Sequence, residues 1–165
     1  MSTTRELGAA LLLWLMLGSI FALAGCGPLG PFSGGSLSGP VHAQPVDDWS
    51  FSQADETVQI ETNPAEPHSV NTWCVGLGER LYVPTSMIRG PKTPSERGWV
   101  KNVIADPRLR IRIGGELYER MAVRVTDVEE YDAARVALEA KYALDPAERD
   151  PEREIWIFRL DPRGA

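Results

Sequence analysis

Histidine and cysteine are scarce in this chain, with two of each in 165 residues. Neither His42 nor His68 has a second histidine or a free cysteine near it in sequence, so no metal-ligand set is visible. No serine has a credible histidine base, which argues against hydrolysis by a nucleophile–base pair. Positive charge is also short: 17 Lys/Arg stand against 23 Asp/Glu, for a net charge of −6. Such a chain is a poor general ligand for nucleic acid, whose affinity rests on phosphate contacts. Val46 to Glu79 holds no Lys or Arg and seven acids. Gly27 to Pro45 carries no charge at all. Its Gly/Pro/Ser composition buries too little apolar surface to offset the entropy of ordering, so residues 26–45 read as a flexible tether.

The long apolar run, Leu7 to Ala24, follows a short charged start and leads through small residues to Cys26. That is the layout of a secretory signal. The tetrad Leu23-Ala24-Gly25-Cys26 resembles the bacterial lipobox. The resemblance implies cleavage of residues 1–25 as a lipoprotein signal peptide and a lipid on Cys26. It also implies membrane attachment on the extracytoplasmic side of a bacterial envelope. A plain N-terminal membrane helix is the competing reading, because eighteen apolar residues just span a bilayer. With Cys26 lipidated only Cys74 remains, so no disulfide forms within the domain, and Cys74 reads as a buried strand residue. Cleavage removes Arg5 and Glu6 together and leaves the charge at −6. Residues 46–165 suffice for one domain and not two.

Within that domain, Thr57 to Thr62 alternates, with Val58 and Ile60 on one face and Gln59 and Glu61 on the other, as in a half-buried strand. Asn63 to Pro67 is a turn. Ser69 to Leu77 reads as a second strand, and Gly76 to Glu79 closes a hairpin onto Arg80 to Thr85. Ser95 is placed to cap a helix running to about Ile104. Leu109, Ile111 and Ile113 then alternate with Arg108, Arg110 and Arg112, which read as a solvated face. Gly114-Gly115 turns the chain into a partner strand, Glu116 to Val125. Thr126 to Glu129 has the form of a capping box, opening a helix to about Tyr142 whose inward stripe is Val128, Tyr131, Ala134, Leu138 and Tyr142. Glu154 to Leu160 is apolar enough to lie between two neighbours. About six strands and two helices, mostly locally connected, give a mainly β, α+β fold: a small antiparallel barrel with two flanking helices.

The chain's charge is unevenly placed. Arg80 to Arg112 holds eight Lys/Arg and two Asp/Glu, so the remainder sums to −12. A cluster this lopsided points to an anion site. The candidates are Lys92 and Arg89 as cations, the start of the helix as a source of amides, Ser86 and Asn102 as polar contacts, and Trp99 as a core residue that also floors a pocket.

Three short stretches carry a resemblance. Pro91-Lys92-Thr93-Pro94 looks like a Pro-Lys-x-Pro loop, Trp99-x-x-Asn102 like a Trp-x-x-Asn helix, and Ala105-Asp106-Pro107 like an Ala-Asn-Pro turn into a strand. In this order they resemble the deazaflavin-dependent nitroreductases, a branch of the flavin-binding split β-barrels of the pyridoxamine-phosphate-oxidase type, over roughly Val58 to Pro162. The resemblance implies a split barrel, a flavin (FMN) or deazaflavin coenzyme, hydride transfer to a small molecule and a homodimer. It places the coenzyme's phosphate near Ser86, Lys92 and Asn102, with Arg89 adding charge and Trp99 beneath. One element departs: where the family carries a basic Gly-Arg/Lys-x-Ser-Gly hairpin, this chain has Asn63-Pro-Ala-Glu-Pro-His-Ser69. That departure keeps a second expectation open, a non-catalytic ligand-binding or envelope-interaction lipoprotein that kept the fold and lost the cofactor.

Overall fold

A computed structural model describes residues 27–163. The expected signal segment, residues 1–25, and the lipidation site Cys26 lie outside the described residues. Seven strands form one antiparallel sheet: β1 (Val58–Thr62), β2 (His68–Thr72), β3 (Val75–Leu77), β4 (Arg80–Pro84), β5 (Arg108–Ile113), β6 (Glu116–Arg124) and β7 (Ile157–Pro162). Their spatial order is β2-β1-β5-β6-β7-β4-β3. Two helices flank the sheet, α1 (Gly98–Ala105) and α2 (Val128–Lys141).

The expected second strand is in fact two. Its halves, β2 and β3, occupy opposite edges of the sheet, joined only by Trp73 and Cys74. Three peptide steps reach at most about 10 Å, so the two edges must curl towards each other. This is what makes the sheet a split barrel: every strand pair is bonded except at the seam, where one chain segment crosses from edge to edge. The last strand lies between β6 and β4, as its apolar composition requires.

Register places the core. Ile60 pairs with Ile111 and Ile111 with Tyr118, so these side chains form one inward row across three strands. The interior also holds Trp49, Leu109, Trp99 and Phe158. A second cluster, with Val75, Tyr82, Ala134, Leu138 and Ile157, seats α2 on the outside of the β4–β7 face. Gly114 and Gly115 both have positive φ, the conformation that a tight two-residue hairpin requires.

Five local expectations need correction. Ser95 does not cap α1: Pro94–Glu96 is a single 3-10 turn and Arg97 occupies the extended position before the helix. The cap of α2 is Asp127, whose carboxylate accepts from Glu130 N at 2.8 Å, so the helix begins one residue later than the Thr126 box implies. Val128 is 69% exposed and leaves the inward stripe, while Ala134 and Leu138 are fully buried in it. The Gly/Pro/Ser segment is laid on the sheet and is not a free tether where it passes β1. Gly34 exchanges backbone bonds with Ser69, Leu37 is buried, and Leu37 N–H donates to Glu61 at 2.5 Å. The second face of β1 is thereby covered. Buried Glu61 is satisfied there by Arg110, at 2.6 Å, so Arg110 is not on a solvated face. Arg112 likewise donates to Ser38 O at 3.1 Å.

Candidate functional site

A cleft of about 510 Å³ opens at the seam, between the exit of β2 and the chain leaving β4. Asn71, Trp73, Met87, Arg89, Arg97 and Trp99 are among the residues that line it. Two tryptophans give it apolar walls. Trp99, 7% exposed, packs edge-on to Phe158 with ring centres 5.5 Å apart. Trp73 stacks on Tyr142 at 4.1 Å with the planes 8° apart, which fixes its ring. Tyr142 is itself anchored, its hydroxyl accepting from Cys74 N at 3.0 Å and donating to Cys74 O at 3.1 Å.

The rim of the cleft is a loop held by arginines. Ser86 Oγ accepts from Arg89 N at 2.9 Å, so its hydroxyl shapes the turn. Arg97 donates to the carbonyls of Arg89 at 2.5 Å and Pro91 at 3.3 Å. Arg153, from beyond α2, donates to the carbonyls of Arg89, Gly90 and Pro91, each at 3.3 Å. Gly90 has φ +73°, a left-handed backbone conformation that favours glycine, and the Arg97 guanidinium lies against it. The result is two like charges brought together over neutral carbonyls. Burial pulls the Arg97 guanidinium below its usual range, and the charge of Arg153 adds to the effect. Arg89 is exposed, and its side chain makes no hydrogen bond or ion pair among the described residues. The cleft therefore carries positive potential with one acid, exposed Glu56, at its edge.

The expected site residues separate. Ser86, Arg89 and Trp99 line the cleft. Lys92 does not: its Nζ lies 3.0 Å from Asp150 and 2.6 Å from Glu152, turned to the connection after α2. Those carboxylates raise its pKa, through the bond to Glu152 first. Asn102 is also absent from the cleft; its amide donates to Thr62 Oγ1 at 2.9 Å and ties α1 to β1. Arg97 and Trp73 were not singled out in sequence. Arg97 was counted in the basic stretch, but nothing local marks it as lacking a carboxylate partner. Trp73 reads as an inward strand residue, and only the break between β2 and β3 turns it into a cleft wall.

Beside the cleft lies a hollow of about 130 Å³ containing Arg135, Glu139 and Arg149. Its charges satisfy one another, Glu139 accepting from Arg135 at 3.1 Å and from Arg149 at 2.7 Å, so it offers a ligand little. Cys74 is fully buried, and burial pushes its thiol up to about 11 despite Lys141 Nζ at 3.9 Å. It is an inert thiol at neutral pH.

The profile of the F420H(2)-dependent quinone reductase family matches residues 67–160, more than half of the chain. The chain belongs to that family. The match spans the seam, the cleft rim, α1 and the strands through β7. Solved structures agree on the fold. An F420-H2 dependent reductase is 20% identical with a TM-score of 0.53, over 64% of this chain and 94% of its own. A conserved hypothetical protein from Mycobacterium tuberculosis is 17% identical with a TM-score of 0.53, over 69% of this chain and 77% of its own. A third, solved as a domain-swapped dimer, is 20% identical with a TM-score of 0.53, over 64% of this chain and 80% of its own. No curated protein sequence matches the chain. The split-barrel architecture expected from the sequence is thus the architecture of the family.

Proposed function

We propose that this protein is a deazaflavin-dependent oxidoreductase that binds its coenzyme in the seam cleft. The observation that carries the reading is Arg89 and Arg97 on the rim of a tryptophan-walled cleft, with no carboxylate among the described residues committed to either. A planar, acidic coenzyme fits that set. Its ring has Trp73 and Trp99 to lie against, and its phosphate has two guanidiniums to complement. The arginines of the loop stand in for the basic hairpin that this chain lacks between β1 and β2. A flavin has the same shape and charge; membership of the family favours the deazaflavin.

When bound, the reduced coenzyme supplies a hydride to the acceptor, and with a quinone the product is a quinol once a proton is taken from solvent. The chain's residues then have no proton to hold in the chemical step. Trp73, Trp99 and Met87 exclude water from the ring, and the arginine-pinned loop positions the acidic tail. The acceptor enters over the open side of the cleft, on a dimer of the kind one structural neighbour forms. We further propose that the protein is held by a lipid on Cys26 at the extracytoplasmic face of a bacterial membrane. The reading rests on the apolar run ending at Leu23-Ala24-Gly25-Cys26; no helix among the described residues is long and apolar enough to cross a membrane.

The test is an equilibrium titration of the purified full chain with oxidised F420, and in parallel with FMN, followed by coenzyme oxidation assays with a soluble quinone. Saturable binding of F420 with quinone-dependent turnover supports the reading. Binding of F420 without turnover keeps the coenzyme site and rules out the quinone tested as its acceptor. No binding of either coenzyme overturns the oxidoreductase reading and favours the non-catalytic alternative that kept the fold and lost the cofactor, for which Glu56 at the cleft edge and the lost hairpin charge speak.

A further inference from the structure

We propose that the barrel end around Arg120 is a second binding site, for the carboxylate of a small zwitterionic amino carboxylate. Arg120 lies on β6 opposite Leu109 of β5 and Pro162 of β7. Leu109 is in the barrel interior, and directly paired residues share a face, so Arg120 points inward as well. An arginine there is unusual, and this one is 7% exposed. Its Nε has no hydrogen-bond partner, and no carboxylate among the described residues lies within ion-pair distance of it.

Aromatic faces hold the guanidinium in place. Its central carbon is 5.0 Å from the Trp49 ring centre and 5.9 Å from that of Tyr118. Trp49 is rigidly seated: its backbone N–H donates to Gly78 O at 2.8 Å, and a Cβ on Gly76 would collide with its backbone carbonyl. A cation stacked in this way keeps its planar fork free while losing water, and such a group is costly until an anion completes it. A carboxylate matches the fork in both charge and geometry.

A groove of about 790 Å³ lies in front, between residues 41–47, the middle of β6 and the end of β7. It shares no lining residue with the coenzyme cleft. Most of its other charges are already committed. Arg163 meets Glu119 at 3.3 Å, Asp161 meets Arg159 at 2.6 Å, and Arg80 meets Glu130 at 3.2 Å. What remains among the described residues is Arg120 and two exposed acids, Asp47 and Glu79. Two free acids repel a phosphate dianion. They suit a ligand whose carboxylate meets Arg120 while its ammonium faces Asp47 or Glu79.

The test uses the 15N-labelled full chain in detergent, titrated separately with glycine, acetate and inorganic phosphate. The Arg120 Nε–H and Trp49 indole N–H resonances are followed, the first assigned by its loss in Arg120→Gln. Glycine is expected to shift both saturably, with acetate and phosphate at least several-fold weaker. Glycine affinity should fall at least tenfold in Arg120→Gln. Should that variant unfold, Arg120→Lys, which keeps the stacked cation and loses the fork, should show the same loss. Asp47→Asn with Glu79→Gln should bring glycine to the level of acetate. Glycine binding unchanged by either Arg120 substitution, equal binding of all three probes, or saturation by none of them overturns the proposal.

Discussion

Lys92 and Arg97 stand five residues apart in one loop and end in opposite electrostatic situations. Lys92 faces away from the cleft and is neutralised by two carboxylates, at 3.0 and 2.6 Å. Arg97 faces the cleft, bonds only to backbone carbonyls and sits beside a second arginine. The same contrast runs along the whole basic stretch. Arg108 is spent on Asp106 at 2.6 Å, Arg110 on Glu61 and Arg112 on the segment before β1. A cluster of positive charge in the sequence is therefore not one site. Part of it glues the fold together, and the part without carboxylates is available to a ligand.

Substitutions on the glue side should cost stability and leave coenzyme affinity alone. The largest effect is expected from Glu61→Ala, which strands Arg110 and frees the Leu37 segment from β1. It should destabilise the fold by about 3 kcal/mol, read by denaturant unfolding. A stable Glu61→Ala protein with weakened coenzyme binding would reverse the assignment of the two regions. Arg97→Ala crosses the boundary, because it removes a cleft cation and releases two loop carbonyls. It should weaken coenzyme binding by about 2 kcal/mol, and by more than Arg89→Ala, which removes charge alone; fluorescence titration of both variants checks the order.

Acid should act on the glue side first. The bond from Arg149, then that from Arg135, holds the Glu139 carboxyl below its ordinary value of 4.5. A depressed folded value means that this contribution is complete above 4.5 and is lost as pH falls through the lower, folded value. The melting-temperature gap between the native protein and Glu139→Gln should therefore be wide near about pH 7 and close towards about pH 3. A gap that persists in acid would show that the pair with Arg149 contributes little.

Much of the fold was legible in sequence because it rests on short-range pattern. Alternation in Leu109 to Ile113, the Gly114-Gly115 turn and the apolar last strand all survive in the structure. The run from Ser69 to Leu77 misleads because its composition is continuous, while the break at Trp73-Cys74 is imposed by closure of the barrel. The site was legible only in part for the same reason. Ser86, Arg89 and Trp99, singled out by loop position and family likeness, do line one cleft. Lys92 was assigned to the ligand because its partners, Asp150 and Glu152, lie about sixty residues away in the chain. Arg97 was passed over because a missing carboxylate leaves no mark in a local window. The segment from Gly27 to Pro45 looked free for want of charge, yet β1 needs its second face covered, and Leu37 covers it.

The most direct measurement is F420 affinity in two single variants made side by side, Arg89→Ala and Lys92→Ala. If the uncommitted arginines hold the coenzyme's phosphate, Arg89→Ala raises the dissociation constant about tenfold and Lys92→Ala leaves it unchanged. If Lys92→Ala weakens binding while Arg89→Ala does not, the coenzyme lies on the other side of the loop and the cleft described here is not its site.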